Sequence, residues 1–284
     1  MFSIYILTYN EEVDIASCIE SAMLSDDIIV VDSYSTDRTI EIAKQYPVRT
    51  VQHEFESHGK QRTWMLENVE TKYDWVYLLE ADERMTPALF QECSGVINQD
   101  KAVGYYVAER VIFMGSWIRR STQYPRYQLR LLKKGKVWYG DYGHTEREVK
   151  NDNDTFLFLK GTYPHFTCSK GLSRWIEKHN RYSTDEAWET LHQLSKGSVQ
   201  WGALLDASSE VARRRALKDL SLRLPFRPML RWLYMYFILG GILDGKAGFA
   251  WCTLQAFYEY LILLKVDELK QLQRNVHCDH QKFD

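Results

Sequence analysis

The chain has 284 residues, 45% of them hydrophobic, with only 15 Gly and 6 Pro, enough to bury a sizeable core and unlike a disordered or fibrous sequence. Its 36 Lys and Arg stand against 38 Asp and Glu, a formal charge of −2 that by itself predicts nothing about partners. The five cysteines, scattered and never spaced as CxxC, point away from a disulfide framework and from a zinc site.

Ser3 to Leu7, Asp27 to Val31, Val48 to Val51 and Trp75 to Leu79 are short apolar runs, each fitting a buried parallel strand. Between them Glu11 to Leu24, Thr36 to Gln45 and Gly59 to Val69 read as helices, so the order predicts a doubly wound α/β sheet. A helix at Pro87 to Ile97 follows. Shorter strands at Gly104 to Phe113, Gln128 to Leu132 and Thr155 to Leu159 then extend the sheet with mixed directions. From Gly171 onward only helical patterns remain: Leu172 to Leu194, Ser208 to Leu222, Pro225 to Leu243 and Gly248 to Leu264. The expected organisation is a domain over 1–170 and a helical extension over 171–284.

The charges are unevenly placed. Arg119 to Lys136 holds seven cations and no acid, while Arg213 to Arg231 holds seven cations against Asp219 alone. Anionic partners therefore enter consideration, beside ordinary solvated helix faces. No recognised motif supports nucleic-acid binding.

In doubly wound sheets ligands bind beyond the carboxyl ends of the strands. The first strand runs into Thr8-Tyr9-Asn10-Glu11-Glu12, and the second ends at Asp32, followed by Ser33-Tyr34-Ser35-Thr36. Asp32 is placed to accept hydrogen bonds from a nucleobase or a ribose, while Ser35 and Thr36 read equally as helix caps. The fourth strand ends in Glu80-Ala81-Asp82-Glu83, oxygen ligands suited to Mg or Mn bridging a diphosphate, or simply an acidic loop.

Together with Lys60-Gln61-Arg62, these four motifs resemble family 2 glycosyltransferases of the GT-A fold. Within that family they look most like the lipopolysaccharide core β-glucosyltransferase branch. The resemblance covers the first hundred residues and, more loosely, Gly140 to Glu186. It implies that Thr8, Tyr9, Asn10, Glu11, Asp32 and Ser35 hold the uridine of a UDP-sugar, with Lys60 near the base or the diphosphate. Glu80-Ala81-Asp82 takes the place of the family's Asp-x-Asp motif, so Asp82 is the expected metal ligand, and Glu80 departs from the usual first Asp. His165 matches a region where some relatives supply a further metal ligand, although a loop histidine is as good a reading. The segment Gly140 to Glu148 resembles the one that carries the general base, implying Glu146, with Asp141 and Glu148 as rivals. Arg126 and Arg130, in the basic segment, are candidates for a phosphate or for the acceptor.

The activity implied is inverting, metal-dependent transfer of a sugar, a hexose by expectation, from a UDP-sugar to a membrane-anchored bacterial glycolipid. A sugar nucleotidyltransferase and a non-catalytic glycan-binding scaffold are the alternatives, but no Gly-rich loop after the first strand suits a nucleoside triphosphate. Met1 leads into Phe2 to Leu7 without a basic n-region, and the catalytic part is expected to face the cytoplasm. The runs Trp232 to Leu243 and Ala247 to Leu264 fall short as spanning helices, the second holding Gln255 and Glu259. With flanking arginines they suit peripheral attachment to an anionic surface, the inner face of the cytoplasmic membrane, or packing on the catalytic domain. His277-Cys278-Asp279-His280 reads as a solvated tail rather than a metal cluster.

Overall fold

The computed structural model describes residues 1–142, 145–149, 151, 153–195, 202, 210–224 and 226–280. By internal contacts the chain divides into two units, Met1–Ser169 and Lys170–Asp284.

The first unit is built on an eight-stranded mixed sheet in the order β10-β5-β7-β4-β1-β2-β3, with β6 pairing on β5. Its parallel half consists of β1 (Ser3–Thr8), β2 (Ile28–Asp32), β3 (Arg49–Gln52) and β4 (Trp75–Glu80). β1, β2 and β4 are buried along nearly their whole length, as strands covered on both faces must be, while β3 lies half exposed at the sheet edge. On one face Ile4, Ile6, Tyr77 and Leu79 pack with α1 (Ile15–Ala22), α2 (Thr39–Ala43) and α4 (Pro87–Val96). On α1 the buried positions Ile15, Cys18, Ile19 and Ala22 recur at helical spacing and form the stripe that meets the sheet. On the other face Tyr5, Val31, Val76 and Leu78 pack with Met65 and Leu66 of α3 (His58–Asn68) and with Tyr139 of β8 (Trp138–Tyr142).

β7 (Arg126–Lys133) runs antiparallel to both β4 and β5 (Gly104–Phe113), which supplies the expected mixed directions. β10 runs from Phe156 to Phe166, well past the expected end at Leu159. Gly161 and Pro164 suggested a loop, but β10 is an edge strand with an irregularity between Phe158 and Thr162, where such residues are tolerated. The short β6 (Ser116–Trp117) and the hairpin of β8 with β9 (Thr145–Val149) had no clear signal in the sequence.

In the second unit every described element is helical. Ala187 of α5 (Gly171–Ser195) packs with Ile262 and Val266 of the long α8 (Gly245–His280). Lys265 Nζ donates to Asn180 Oδ1 at 2.8 Å and to Thr184 Oγ1 at 2.7 Å, pinning the same pair of helices. α6 (Glu210–Arg223) and α7 (Arg227–Leu233) lie between them in sequence. The single helix expected over 225–243 is instead α7, a π-helical segment Tyr234–Ile238, and a 3₁₀ turn Gly241–Asp244 after Gly240 takes a left-handed φ of 80°. The stretch Gly241–Gln273 is long and apolar enough, by length and composition, to cross a membrane, and 33% of its most apolar window is buried. The side chains of 277–280 lie outside the described residues.

Candidate active site

The carboxyl ends of β1, β2 and β4 meet at one mouth of the sheet. Thr8 and Asp32 are partners in the β1–β2 register, and the Ser33 N–H donates to the Thr8 carbonyl at 3.0 Å. Asp32 is fully buried, and its carboxylate accepts the Ser35 N–H and the Gln52 amide, each at 2.9 Å, and the Ser35 hydroxyl. Ser35 also accepts the Asn10 N–H at 2.8 Å, while Asn10 Oδ1 accepts the Thr36 N–H at 2.8 Å. Neither Ser35 nor Thr36 therefore caps a helix: α2 starts at Thr39, and the two residues lock the first loop onto the second. Asn10 and Tyr34 hold left-handed φ values of 53° and 57°, a conformation unusual for non-glycine residues that shapes both loops. Tyr9 is exposed, and Thr8 Oγ1 is buried without a hydrogen-bond partner. Glu11 closes the loop through its N–H, which donates to Thr39 Oγ1 at 2.7 Å.

The acidic turn after β4 is held from several sides. Ala81 N–H donates to the Leu7 carbonyl at 3.1 Å, and Phe166 N–H donates to the Asp82 carbonyl at 2.8 Å, docking the turn on β1 and on the end of β10. Glu83 and Arg130 are both 1% exposed and form an ion pair at 2.5 Å, and Arg130 also reaches Glu80 at 3.2 Å. Arg62, buried on α3, meets the same Glu80 oxygen at 2.8 Å. Burial alone would raise the Glu80 carboxyl, but the guanidiniums of Arg130 and Arg62 outweigh it and hold the group well below the usual range. The extra methylene of Glu80, relative to the family's Asp, thus has a structural use: it reaches back to two arginines. Arg130, expected to meet a phosphate or the acceptor, is instead an internal clamp whose guanidinium is shared among Glu80, Glu83 and the Tyr163 hydroxyl.

Asp82 points the other way. Its Oδ2 lies 3.2 Å from His165 Nε2, and His165 Nδ1 lies 3.3 Å from Glu109, which pairs with Arg126 at 2.7 Å. Burial would lower the imidazole pKa, yet the carboxylates of Asp82 and Glu109 outweigh it and hold the ring well above its ordinary range. Once the ring gives up its Nε2 proton, the pair would fit a divalent ion: two ligands at about 2.1 Å on adjacent octahedral positions sit about 3 Å apart. Glu109 behind the second ring nitrogen matches the outer carboxylate that orients metal-bound histidines. No group of three or more His, Cys, Asp or Glu forms a ligand set among the described residues.

The acidic hairpin stands on α3. Asp141 Oδ2 accepts from Ser57 at 2.8 Å, the same Ser57 that caps α3, and Glu148 accepts from the Tyr106 hydroxyl. Register pairs Glu146 with Asp141. The Glu146 side chain, Gly143, His144 and Lys150 lie outside the described residues. Lys60 is exposed and pairs with Glu56 at 2.6 Å; its neighbour Arg62 is the member of that motif that reaches the site. The basic segment is not one patch either. β7 carries it across the sheet, leaving Arg126 at the mouth and Lys133 opposite Trp75 at the far end.

Arg62, Glu109 and Gln52 were not among the expected site residues. A lone acid within the apolar run Gly104 to Phe113 was the available signal for Glu109. Gln52, on an edge strand, had none.

The Glycosyl transferase family 2 profile matches residues 3–157. The chain is 26% identical to the lipopolysaccharide core biosynthesis glycosyltransferase LpsC of Rhizobium meliloti, over 98% of this chain and 96% of that protein. It is 25% identical to a glycosyltransferase of Rickettsia typhi, over 96% and 89%. Among solved structures, S. aureus TarS 1-349 in complex with UDP-GlcNAc aligns with a TM-score of 0.43 and 14% identity, over 89% of this chain and 90% of that one. With a family profile spanning more than half its length, the chain belongs to glycosyl transferase family 2.

Proposed function

We propose that the protein is an inverting, metal-dependent hexosyltransferase that moves a sugar from a UDP-sugar to a hydroxyl of a membrane-anchored glycolipid in bacterial surface polysaccharide assembly. The observation that carries this reading is the Asp82–His165 pair, oriented by Glu109, at the sheet mouth shared with the buried Asp32. Asp32, braced by Ser35 and Gln52, is the acceptor for the uracil or ribose donors, and the Thr8 to Glu11 loop flanks it. Asp82 and His165 are the residues to hold Mg or Mn. When bound, the ion supplies positive charge against the diphosphate of the leaving UDP. Arg126, exposed and paired with Glu109 at 2.7 Å, is the basic-segment cation we assign to that charge.

Inversion requires a carboxylate that takes the proton of the acceptor hydroxyl, a contribution of about 10² to 10⁴ in rate. Following the family resemblance, Glu146 is the base we assign, with Asp141, which accepts from Ser57, and Glu148, which accepts from Tyr106, as its rivals. The name of the Rhizobium relative supports a lipopolysaccharide-type acceptor, and with it our reading of a peripheral enzyme at the cytoplasmic face of the inner membrane. Calorimetry with UDP and Mn²⁺ tests the donor site. Asp82→Ala and His165→Ala should each abolish the metal-dependent part of UDP affinity, and unchanged affinity in both would falsify the assignment. Glu146→Gln should keep UDP binding while losing turnover; full activity moves the base elsewhere.

A further inference from the structure

We propose that the segment from Arg227 to Ile238 is an in-plane membrane anchor that seats one apolar stripe in an anionic bilayer interface, and that α8 behind it does not cross the membrane. This deepens the peripheral placement proposed above and is independent of the donor site. Met229, Leu230, Leu233, Tyr234, Phe237 and Ile238 recur at three- and four-residue spacing and are 39–75% exposed, an unbroken stripe along α7 and the π-helical segment. The other side of the segment is committed inward. Arg227 and Arg231 pair with Glu259 of α8 at 2.8 and 3.3 Å, Trp232 Nε1 donates to Thr253 at 3.2 Å, and Met235 is buried.

The length and the charge select the occupant. Twelve helical residues span about 18 Å, short of the ~30 Å hydrocarbon core, and Gly240 turns the chain immediately afterwards. Arg227 and Arg231 turn inward to Glu259, but Arg213, Arg223 and Lys246 of the same unit are exposed. Exposed cations disfavour a second copy and favour anionic headgroups. α8 has the length to span, but Glu259 sits within its apolar stretch, buried and bound to both arginines. A crossing would carry that charged triad into hydrocarbon.

Flotation with phosphatidylcholine vesicles containing about one third phosphatidylglycerol tests the anchor. The full chain should float with these vesicles, weakly with pure phosphatidylcholine, and should be released from membranes by alkaline carbonate. Met229→Asp and Ile238→Asp should each reduce partitioning on the order of tenfold, whereas Leu272→Asp, at an exposed apolar position of α8 outside the stripe, should not. Circular dichroism and UDP–Mn²⁺ affinity, measured on the same preparations, separate loss of the anchor from misfolding and from failure of the donor site. Binding that survives both stripe substitutions overturns the stripe and leaves peripheral attachment standing; no binding by the native chain overturns both. Carbonate resistance overturns the claim for α8. A concentration-dependent dimer that the same substitutions abolish, without vesicle binding, makes the occupant a second copy.

Discussion

Arg130 shows how one side chain decides the geometry of the acidic turn. It lies in the run Leu129 to Leu132, where the pattern predicts a buried strand, and the structure buries it with Glu83, Glu80 and the Tyr163 hydroxyl around it. Removing one partner of a buried ion pair leaves an uncompensated charge, so Arg130→Met should destabilise the fold by about 3–5 kcal/mol. Adding Glu83→Gln to that variant should restore part of the loss, and urea unfolding of the two single variants and the double variant measures the coupling. Arg130→Lys keeps the charge but cannot fork between two carboxylates. It should therefore weaken UDP–Mn²⁺ affinity through a displaced Asp82, with less loss of stability than Arg130→Met. At this scale the sequence was legible where strand ends carry polar residues, as at Asp32 and Asp82. It was misleading for Arg130, because a cation's partner can lie far along the chain: Glu83 is 47 residues away.

Between elements, close approach does the positioning. A Cβ on Gly59 would lie 2.7 Å from Asp141 Oδ1 and 2.9 Å from the Gly140 carbonyl carbon, so α3 and the acidic hairpin touch there through backbone. Gly59→Ala should push the hairpin away from α3. A lower kcat with nearly unchanged UDP affinity, read from steady-state kinetics and calorimetry, is the expected signature. A second junction lies at the opposite end of the sheet, where Asp27 accepts from Ser3 at 2.5 Å, from the Lys72 N–H at 2.8 Å and from Arg49 at 2.8 Å. Burial raises the Asp27 carboxyl, but these hydrogen bonds outweigh it and lower the group below its usual value of 3.8. A lowered folded pKa means that the stabilisation is complete above the unfolded value and fades as pH falls through the folded one. Asp27→Asn should therefore cost about 1–2 kcal/mol at neutral pH, with Arg49 contributing little because half its side chain is exposed. The difference from the native chain should shrink below about pH 4, as urea titrations across that range would show. The hairpin itself escaped the sequence reading because Trp138 to Val149 mixes polar and apolar residues without a two-residue alternation long enough to separate strand from loop.

Over the whole molecule, each unit has buried clusters of its own: one on each face of the sheet in the first, and one between α5 and α8 in the second. A chain ending at Ser169 should accordingly retain UDP–Mn²⁺ binding while losing vesicle binding, a pairing that calorimetry and flotation check directly. The net charge of −2 conceals a functional layout: β7 splits one basic run between the two ends of the sheet, and Glu259 takes up two cations of the other. The sequence by itself determined the α/β order, the four strand-end motifs and the family they resemble. Each rests on local periodicity, or on residues adjacent in the chain at the end of a strand. Only the tertiary structure decided that Asp82 meets His165 across 83 positions, that Glu80 belongs to Arg62 and Arg130, and that Glu109 stands behind the imidazole. Those pairings depend on which strand ends lie side by side, and strand order and direction across a sheet are set by long-range packing rather than by any window of neighbouring residues.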